Sequence, residues 1–255
     1  MALEIVTIPC LSDNYAYLAR DADTGIVALI DAPEVAPIKA ALAARGWTLN
    51  IILLTHHHDD HIQGVEDLRK AFDCTVIGGK ADVHRLPPLD QEVSEGDTVA
   101  IGGSTGHVLD VSGHTVGHIA FHFPDSAAVF SADSLMGLGC GRLFEGDGPM
   151  MWTSMLKFKA MPPETIVYSG HEYSTANAAF AVTIESDNAA LQDRVADITA
   201  KRADGTPTIP TPLSLELATN PFLRADDPAV KAAVGMPDAS DAEVFTEVRK
   251  RKDQF

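Results

Sequence analysis

Four histidines within six residues constrain this chain more than any other feature of its sequence. The string from Thr55 to His61 reads THHHDDH, and it directly follows the apolar run Ile51–Leu54, which has the length of a buried strand. Apolar residues then return at helical spacing: Ile62, Val65, Leu68 and Phe72. The pattern predicts a loop between a strand and a helix, from which several imidazoles project.

The alternation within this loop indicates which side chains can share an ion. His56 and His58 are two residues apart at the end of an extended segment, so they project to the same side. Asp60 and His61 follow as the chain turns into the helix, and they suit a second ion nearby. Imidazole and carboxylate ligands without thiolate favour zinc, iron or manganese. A solvated loop with Asp60 as a helix cap is the alternative, and four clustered histidines disfavour it.

Histidines and an aspartate also follow other predicted strands. His114 lies between glycines in the string SGHTVGH, and His171 lies in SGHEY. Asp133 closes the strand pattern AVFSAD, where an ordinary turn aspartate is the alternative. A carboxylate can bridge two cations, whereas an imidazole serves one, so Asp133 is the natural bridge between two ions. We expect His118 to make structural hydrogen bonds and the remaining histidines to be surface or packing residues.

Composition limits the class of protein. The 255 residues are 45% hydrophobic with a net charge of −17, which predicts a globular chain that does not wrap nucleic acid. No stretch reaches the roughly 18 to 20 apolar residues of a membrane-spanning helix, and the start Met1–Glu4 lacks the basic-then-apolar pattern expected of a secretory signal. The three cysteines lie more than sixty residues apart, too far for a cysteine zinc knuckle. We expect a cytoplasmic protein, a monomer rather than an obligate oligomer, without nucleic-acid or membrane partners.

Short apolar runs alternate with helical patterns in the first two thirds of the chain, which predicts an α+β fold. The predicted strands are Ile5–Ile8, Tyr15–Leu18, Ile26–Ile30, Ile51–Leu54, Val108–Val111, Ile119–Phe123, Ala127–Phe130 and Ile166–Tyr168. From about Ser174 the sequence becomes mostly helical, with a break over Gly205–Pro212. We therefore divide the chain into residues 1–173, a catalytic domain, and residues 174–255, a small helical domain.

Taken together, these strings resemble the metallo-β-lactamase superfamily. Three further strings closely resemble the glyoxalase II (hydroxyacylglutathione hydrolase) family within it: GCGRLFEG from Gly139, TNPFLR from Thr219, and the ending from Arg249 to Phe255. The resemblance runs from Leu11 to the last residue.

The resemblance implies an αββα sandwich, followed by a helical domain that contributes to glutathione binding. It assigns a first metal to His56, His58 and His114, and a second metal to Asp60, His61 and His171. Asp133 would bridge them, and Asp60 and Asp133 would position a metal-bridging hydroxide. Two divalent ions per chain are implied, with zinc as the first choice and iron or manganese as the others.

The same resemblance implies the substrate and its binding residues. Arg249 and Lys252 would bind the glutathione carboxylate, with Arg142, Phe144 and Tyr173 lining the rest of the pocket. On charge alone, a solvated basic helix end is the simpler interpretation of Arg249–Lys252. The implied reaction is hydrolysis of S-D-lactoylglutathione to glutathione and D-lactate, the second step of methylglyoxal detoxification. The alternative is a glutathione persulfide dioxygenase with a single iron.

Three departures from the family pattern bear on the site. Many members have glycine where this chain has Ala132, directly before the proposed bridging aspartate. Some have tyrosine where this chain has Phe144, so no hydroxyl is available there to contact a substrate. The stretch Asp147–Pro149 stands where the family usually has threonine. None of these positions is a predicted metal ligand.

Overall fold

The structure, a computed structural model, describes residues 2–255, which form two compact units. The first unit comprises residues 2–110 and 116–131. The second comprises Val111–Thr115 and Ala132–Phe255. These units group residues by spatial compactness, whereas the predicted division at residue 174 follows a change in sequence character and stays a prediction.

The first unit contains both sheets and helices, so the predicted α+β class is confirmed. Its strands are β1 (Glu4–Cys10), β2 (Asn14–Arg20), β3 (Val27–Ile30), β4 (Ile51–Leu53), β5 (Thr75–Gly79), β6 (Gln91–Val93), β7 (Thr98–Ile101), β8 (Ser104–Asp110), β9 (Ile119–Phe123) and β10 (Ala128–Ala132, whose last residue lies in the second unit). Its helices are α1 (Val35–Arg45), α2 (Asp59–Ile62) and α3 (Val65–Phe72). Strands β1 to β6 form one sheet in sequence order, antiparallel through β3 and parallel from β3 onward, while β7 to β10 pair as antiparallel neighbours.

Side chains alternate across β2 because successive residues of a strand point to opposite faces. Ala16 and Leu18 belong to the apolar cluster that also contains Ile38 and Leu42 of α1, so one face of the first sheet is covered by helix. Tyr17 points the other way, and its ring centroid lies 5.8 Å from that of Phe130 in β10. Two sheets thus pack face to face in this unit, with aromatic rings between them.

The helix predicted after the histidine string is interrupted. It ends as α2 at Ile62 and restarts as α3 at Val65. The Ala32 amide donates to the His61 carbonyl (2.7 Å), and the Gly64 amide donates to the Ala32 carbonyl (2.8 Å). A Cβ on Gly64 would lie 2.8 Å from that same carbonyl oxygen. Ala32, the second residue after β3, therefore replaces helical hydrogen bonds at this point and breaks the helix.

The second unit is mostly helical. Its helices are α4 (Gly148–Lys159), α5 (Ser174–Ile184), α6 (Ala189–Ala203), α7 (Leu213–Thr219), α8 (Pro228–Ala233) and α9 (Asp241–Gln254). Its short strands are β11 (Leu135–Met136), β12 (Gly139–Cys140), β13 (Ile166–Ser169) and β14 (Thr211–Pro212). The break predicted over Gly205–Pro212 is present, with β14 at its end. Helix α9 begins with a complete capping box between Ser240 and Glu243.

A buried ion pair organises the second unit around the hairpin β11–β12. Arg194 of α6 pairs with Glu216 of α7, and both side chains are almost fully buried. Glu216 also accepts from the Leu138 amide (3.0 Å), and the Asn220 side-chain amide donates to the Gly139 carbonyl (3.0 Å). Because every partner is a strong hydrogen-bonding group, the hairpin is held at a fixed position by the helices of its own unit.

Within residues 2–255, no helix combines the length and hydrophobicity needed to cross a bilayer.

Candidate metal centre and substrate-binding residues

The first unit contributes four of the seven predicted ligands, and the spacing rule describes the first pair well. His56 Nε2 lies 3.1 Å from His58 Nδ1, so both imidazoles project to the same side. His57 points elsewhere, and its Nδ1 lies 3.1 Å from the buried carboxylate of Asp82. Arg85 donates to the second oxygen of that carboxylate, so Asp82 holds His57 away from the pair. Asp59 is exposed.

A buried carboxylate outside the predicted site orients His61. Asp31 Oδ2 lies 2.8 Å from His61 Nδ1 and accepts from the Thr55 hydroxyl (2.8 Å), while Oδ1 accepts from the Thr55 amide (2.9 Å). Asp31 is 3% exposed and His61 is 1% exposed. A carboxylate on Nδ1 places the proton there and leaves the Nε2 lone pair for a metal.

Asp60 is held by an asparagine near the start of the chain. The Asn14 side-chain amide donates both to the Asp60 carboxylate (3.0 Å) and to the Asp60 carbonyl (3.1 Å). Asn14 is buried at the beginning of β2. The carboxylate of Asp60 is therefore fixed at one oxygen, although its side chain is partly exposed.

The second unit contributes His114, Asp133 and His171, all buried. Asp133 Oδ2 lies 3.5 Å from His114 Nε2 and 3.3 Å from His171 Nε2. One carboxylate oxygen is thus flanked by the Nε2 atoms of two histidines. In the sequence assignment these histidines belong to different metals, and Asp133 is the predicted bridge between them.

The segment after β12 fixes the orientation of His114. Its Nδ1 lies 2.7 Å from the Arg142 carbonyl oxygen, and the Phe144 amide donates to the His114 carbonyl (3.2 Å). A Cβ on Gly141 would overlap the Asp133 carbonyl oxygen and would lie 2.7 Å from His114 Nδ1, so only glycine fits there. Nδ1 is the donor in this arrangement, and Nε2 faces Asp133.

Three of the predicted substrate-binding side chains are exposed beside these ligands. The Phe144 ring is 61% exposed and meets His114 edge-on, with centroids 5.3 Å apart. The Tyr173 ring is 40% exposed and stacks on His171 at 4.7 Å. The Arg142 guanidinium lies 5.9 Å above the Phe144 ring. Aromatic surface therefore flanks both His114 and His171, the predicted ligand histidines of the second unit.

The two predicted cations of α9 differ from a solvated helix end. Arg249 is 6% exposed, and it donates to the Cys140 carbonyl (3.0 Å) and to Asp253 (2.9 Å). Lys252 donates to the Ala176 carbonyl (3.0 Å) and lies 5.3 Å from the centroids of two phenylalanine rings. Burial, with a smaller contribution from Arg249, lowers the pKa of Lys252.

Four polar residues in or beside the predicted site have structural contacts that were not predicted from the sequence: Asp31 and Asn14 contact predicted ligands, Asp82 contacts His57, and Glu172 contacts Thr208. Glu172 turns away from its neighbours His171 and Tyr173 and accepts from the Thr208 amide (2.7 Å). A usable signal existed for Asp31, because it directly follows an apolar strand, as Asp133 does. The other three are recognisable only from contacts between distant parts of the chain.

Comparison with known families shows the class of protein. Residues 12–171 match the metallo-beta-lactamase superfamily, and residues 172–255 match the C-terminus of hydroxyacylglutathione hydrolase. The fold and the motif strings thus define a metallo-β-lactamase superfamily member, which confirms the resemblance predicted from the sequence.

Full-length relatives narrow this class. Proteins named hydroxyacylglutathione hydrolase from Cereibacter sphaeroides (strain ATCC 17023) and Ruegeria pomeroyi (strain ATCC 700808) are each 60% identical over 255 residues, covering 100% of both chains in each comparison. The chain belongs to the hydroxyacylglutathione hydrolase family. Among solved structures, TTHA1623 in a di-iron-bound form is 27% identical with a TM-score of 0.63, covering 86% of this chain and 99% of that one.

Proposed function

We propose that this chain hydrolyses S-D-lactoylglutathione and related 2-hydroxyacylglutathione thioesters to glutathione and the free hydroxy acid. Family membership over the full length supports this reaction, since the relatives carry the hydrolase name. The observation that carries the proposal is the placement of one Asp133 oxygen between the Nε2 atoms of His114 and His171. A carboxylate so placed suits a binuclear hydrolase.

The residues present fit two divalent metal ions. His56, His58 and His114 would hold the first ion, and Asp60, His61 and His171 would hold the second, with Asp133 as the bridge. His61 and His114 each have an acceptor on Nδ1, which is the arrangement that directs Nε2 toward a metal. Zinc is our first choice, and the di-iron form of TTHA1623 keeps iron open.

Metals bound there supply a water of lowered pKa as nucleophile and a Lewis acid for the thioester carbonyl. Asp60 and Asp133 would orient the attacking water, because Asn14 fixes the first carboxylate and two histidines flank the second. The expelled thiol has a free pKa of about 8.5, so it leaves as thiolate without a general acid. An amide nitrogen would need a proton donor, and the proposed site residues include no dedicated one.

The glutathione part of the substrate would lie on the second unit. Phe144 and Tyr173 offer exposed rings beside the ligand histidines, and Arg142 offers an exposed cation. Arg249 and Lys252 would attract the substrate carboxylate, with Arg249 acting from a buried, fixed position. We also propose that residues 1–173 carry the chemistry while residues 174–255 contribute glutathione binding, a division supported by the family matches that meet at residue 172.

We place the reaction in the cytoplasm and expect a monomer. Glutathione is the thiol of the reducing cytosol, and the three cysteines are free and buried, as suits that compartment.

The first test follows thiol release from S-D-lactoylglutathione and oxygen uptake with glutathione persulfide, both on metal-replete enzyme. We expect rapid thiol release without oxygen uptake. Oxygen uptake without thioester hydrolysis would overturn the hydrolase proposal in favour of a single-iron dioxygenase.

A second test addresses the bridge through metal content. Asp133→Ala should lower the content of both ions together, because each would lose a ligand. Asp125→Ala, at an exposed aspartate in the turn before β10, is the matched control and should leave metal content unchanged. Full retention of both ions by Asp133→Ala would refute the bridging role.

A further inference from the structure

The last turn of α9 holds a carboxylate among cations. Asp253 Oδ1 accepts from Arg249 Nη2 at 2.9 Å and lies 3.4 Å from Arg142 Nε. Its side chain is 37% exposed. The Asp253 carboxylate therefore pairs with both Arg249 and Arg142, two guanidinium groups that the proposed function places in contact with an anionic substrate.

The two arginines differ in their freedom to change partner. Arg249 is buried with its guanidinium 5.1 Å from the Phe222 ring centroid and with Nη1 on the Cys140 carbonyl. The Arg142 side chain is 60% exposed, and it forms an ion pair with Asp253. The backbone of Arg142 is fixed because its carbonyl accepts from His114 Nδ1. The exposed guanidinium of Arg142 can therefore change its orientation while its backbone stays fixed beside His114.

We propose that Asp253 is a specificity-determining residue, an internal carboxylate that occupies Arg142 until the carboxylate of a glutathione conjugate displaces it. This rests on the proposed function. Asp253 and the ligand carboxylate offer Arg142 the same chemistry, so they compete for it. Exchange between them costs little, because an exposed ion pair is weak and is screened by salt. A ligand without a carboxylate has no group that can replace Asp253 as the ion-pair partner of Arg142.

Asp253→Asn tests the competition, because it keeps the shape of the side chain and removes its charge. We expect glutathione, titrated calorimetrically into the metal-replete protein, to bind about two- to five-fold more tightly to this variant, the range that a weak exposed pair allows. KM for S-D-lactoylglutathione should fall by a similar factor while kcat is unchanged. The gain should shrink as salt is added, and it should be absent with glutathione diethyl ester.

Two variants separate this effect from net charge and from a purely structural role. Glu247→Gln removes one negative charge from the same helix at a carboxylate that pairs with Arg251 (2.9 Å), and it should leave glutathione affinity unchanged. In an Arg142→Gln background, Asp253→Asn should give no gain, because the guanidinium that it frees is missing. A merely structural aspartate would show neither the salt dependence nor this loss of effect.

Three results would overturn the proposal while the wild type binds glutathione and releases thiol normally. They are an unchanged affinity in Asp253→Asn, an equal gain in Glu247→Gln, and a gain that persists without Arg142. A wild type that neither binds glutathione nor hydrolyses the thioester would instead overturn the proposed function, and the Asp253 proposal with it.

Discussion

At the scale of single residues, the side chains that hold the proposed ligands matter as much as the ligands. Asp31 has two oxygens and three donors on them: the Thr55 amide, the Thr55 hydroxyl and His61 Nδ1. An ionised carboxylate is the side chain that accepts at both oxygens. A side chain with one acceptor and one amide group cannot satisfy all three donors.

Asp31→Asn should therefore weaken metal binding about 10- to 100-fold, as loss of a hydrogen-bonded partner of a ligand histidine does. In one orientation the new side-chain NH2 group faces the Thr55 amide, so two donors meet. In the other it donates to His61 Nδ1, which places the imidazole proton on Nε2, the atom proposed to bind the metal. Competition with a chromophoric chelator measures the affinity. Asp21→Asn is the control, since Asp21 is also buried and accepts backbone amides but does not contact a proposed ligand. Equal affinity in the two variants would contradict the orienting role.

Ala132 stands where many family members have glycine, and its backbone conformation favours glycine. Its φ of +42° lies in the left-handed region, where a Cβ costs roughly 1–2 kcal/mol. Ala132→Gly should raise the free energy of unfolding by up to about 1 kcal/mol, after the entropy that glycine loses on folding is subtracted. Urea unfolding of metal-free protein measures this. Ala128→Gly in the same strand, without a positive φ, should destabilise, and a loss in both variants would show that Ala132 is not strained.

At the scale of elements, sequence periodicity predicts β1 to β4, β8 to β10 and β13, misses β5, β6 and β7, and fails where a tertiary contact competes with it. The strands from β1 to β4 follow from apolar runs in the sequence. The break between α2 and α3 does not, because it arises from Ala32, which is distant in sequence. The burial of Arg249 has the same origin, since a basic run gives no sign that Cys140 and Phe222 cover one of its members.

Two titratable side chains face each other across the strand pair β8–β9, because His122 stands directly opposite His107. Burial, and to a lesser degree His107, lowers the pKa of His122. As pH falls below about 6.5, the imidazole of His122 is protonated in the unfolded chain before it is protonated in the folded chain. The contribution of His122 to stability is therefore present above that pH and is lost as the solution becomes more acidic.

His122→Gln should reduce the loss of stability between pH 7.5 and pH 5.5, measured by urea unfolding. Thr98, the neighbour of His107 across β7, is uncharged and adds nothing to this dependence. His84→Gln removes an exposed imidazole and should keep the pH dependence of the wild type. An identical dependence in all three proteins would contradict the assignment to His122.

At the scale of the whole molecule, the proposed ligands come from the sequence, whereas the residues that contact and orient them are seen only in the structure. Histidines and aspartates at strand ends stand out because their chemistry and spacing are local, as in the string Thr55 to His61. Their orienting partners are ordinary residues such as Asn14 and Asp31, whose role depends on which distant atoms they reach. Local motifs in the sequence therefore predict the proposed ligands but not the distant residues that orient them.

Metal removal tests whether the proposed ligands act as one set. They are distributed from His56 to His171, so the native chain can gather them and the unfolded chain cannot. An ion that binds only the native state stabilises it by about 1.4 kcal/mol for each tenfold rise in free ion above the dissociation constant, for each site filled. Chelation should therefore lower Tm, and Zn²⁺ should restore it in a concentration-dependent way, whereas Mg²⁺, which prefers oxygen ligands, should not. In Asp133→Ala the dependence on Zn²⁺ should weaken sharply, because both ions lose a ligand. An unchanged Tm on chelation of demonstrably loaded wild-type protein would mean that the ions bind the unfolded chain as well, and the proposed set would not be a folded site.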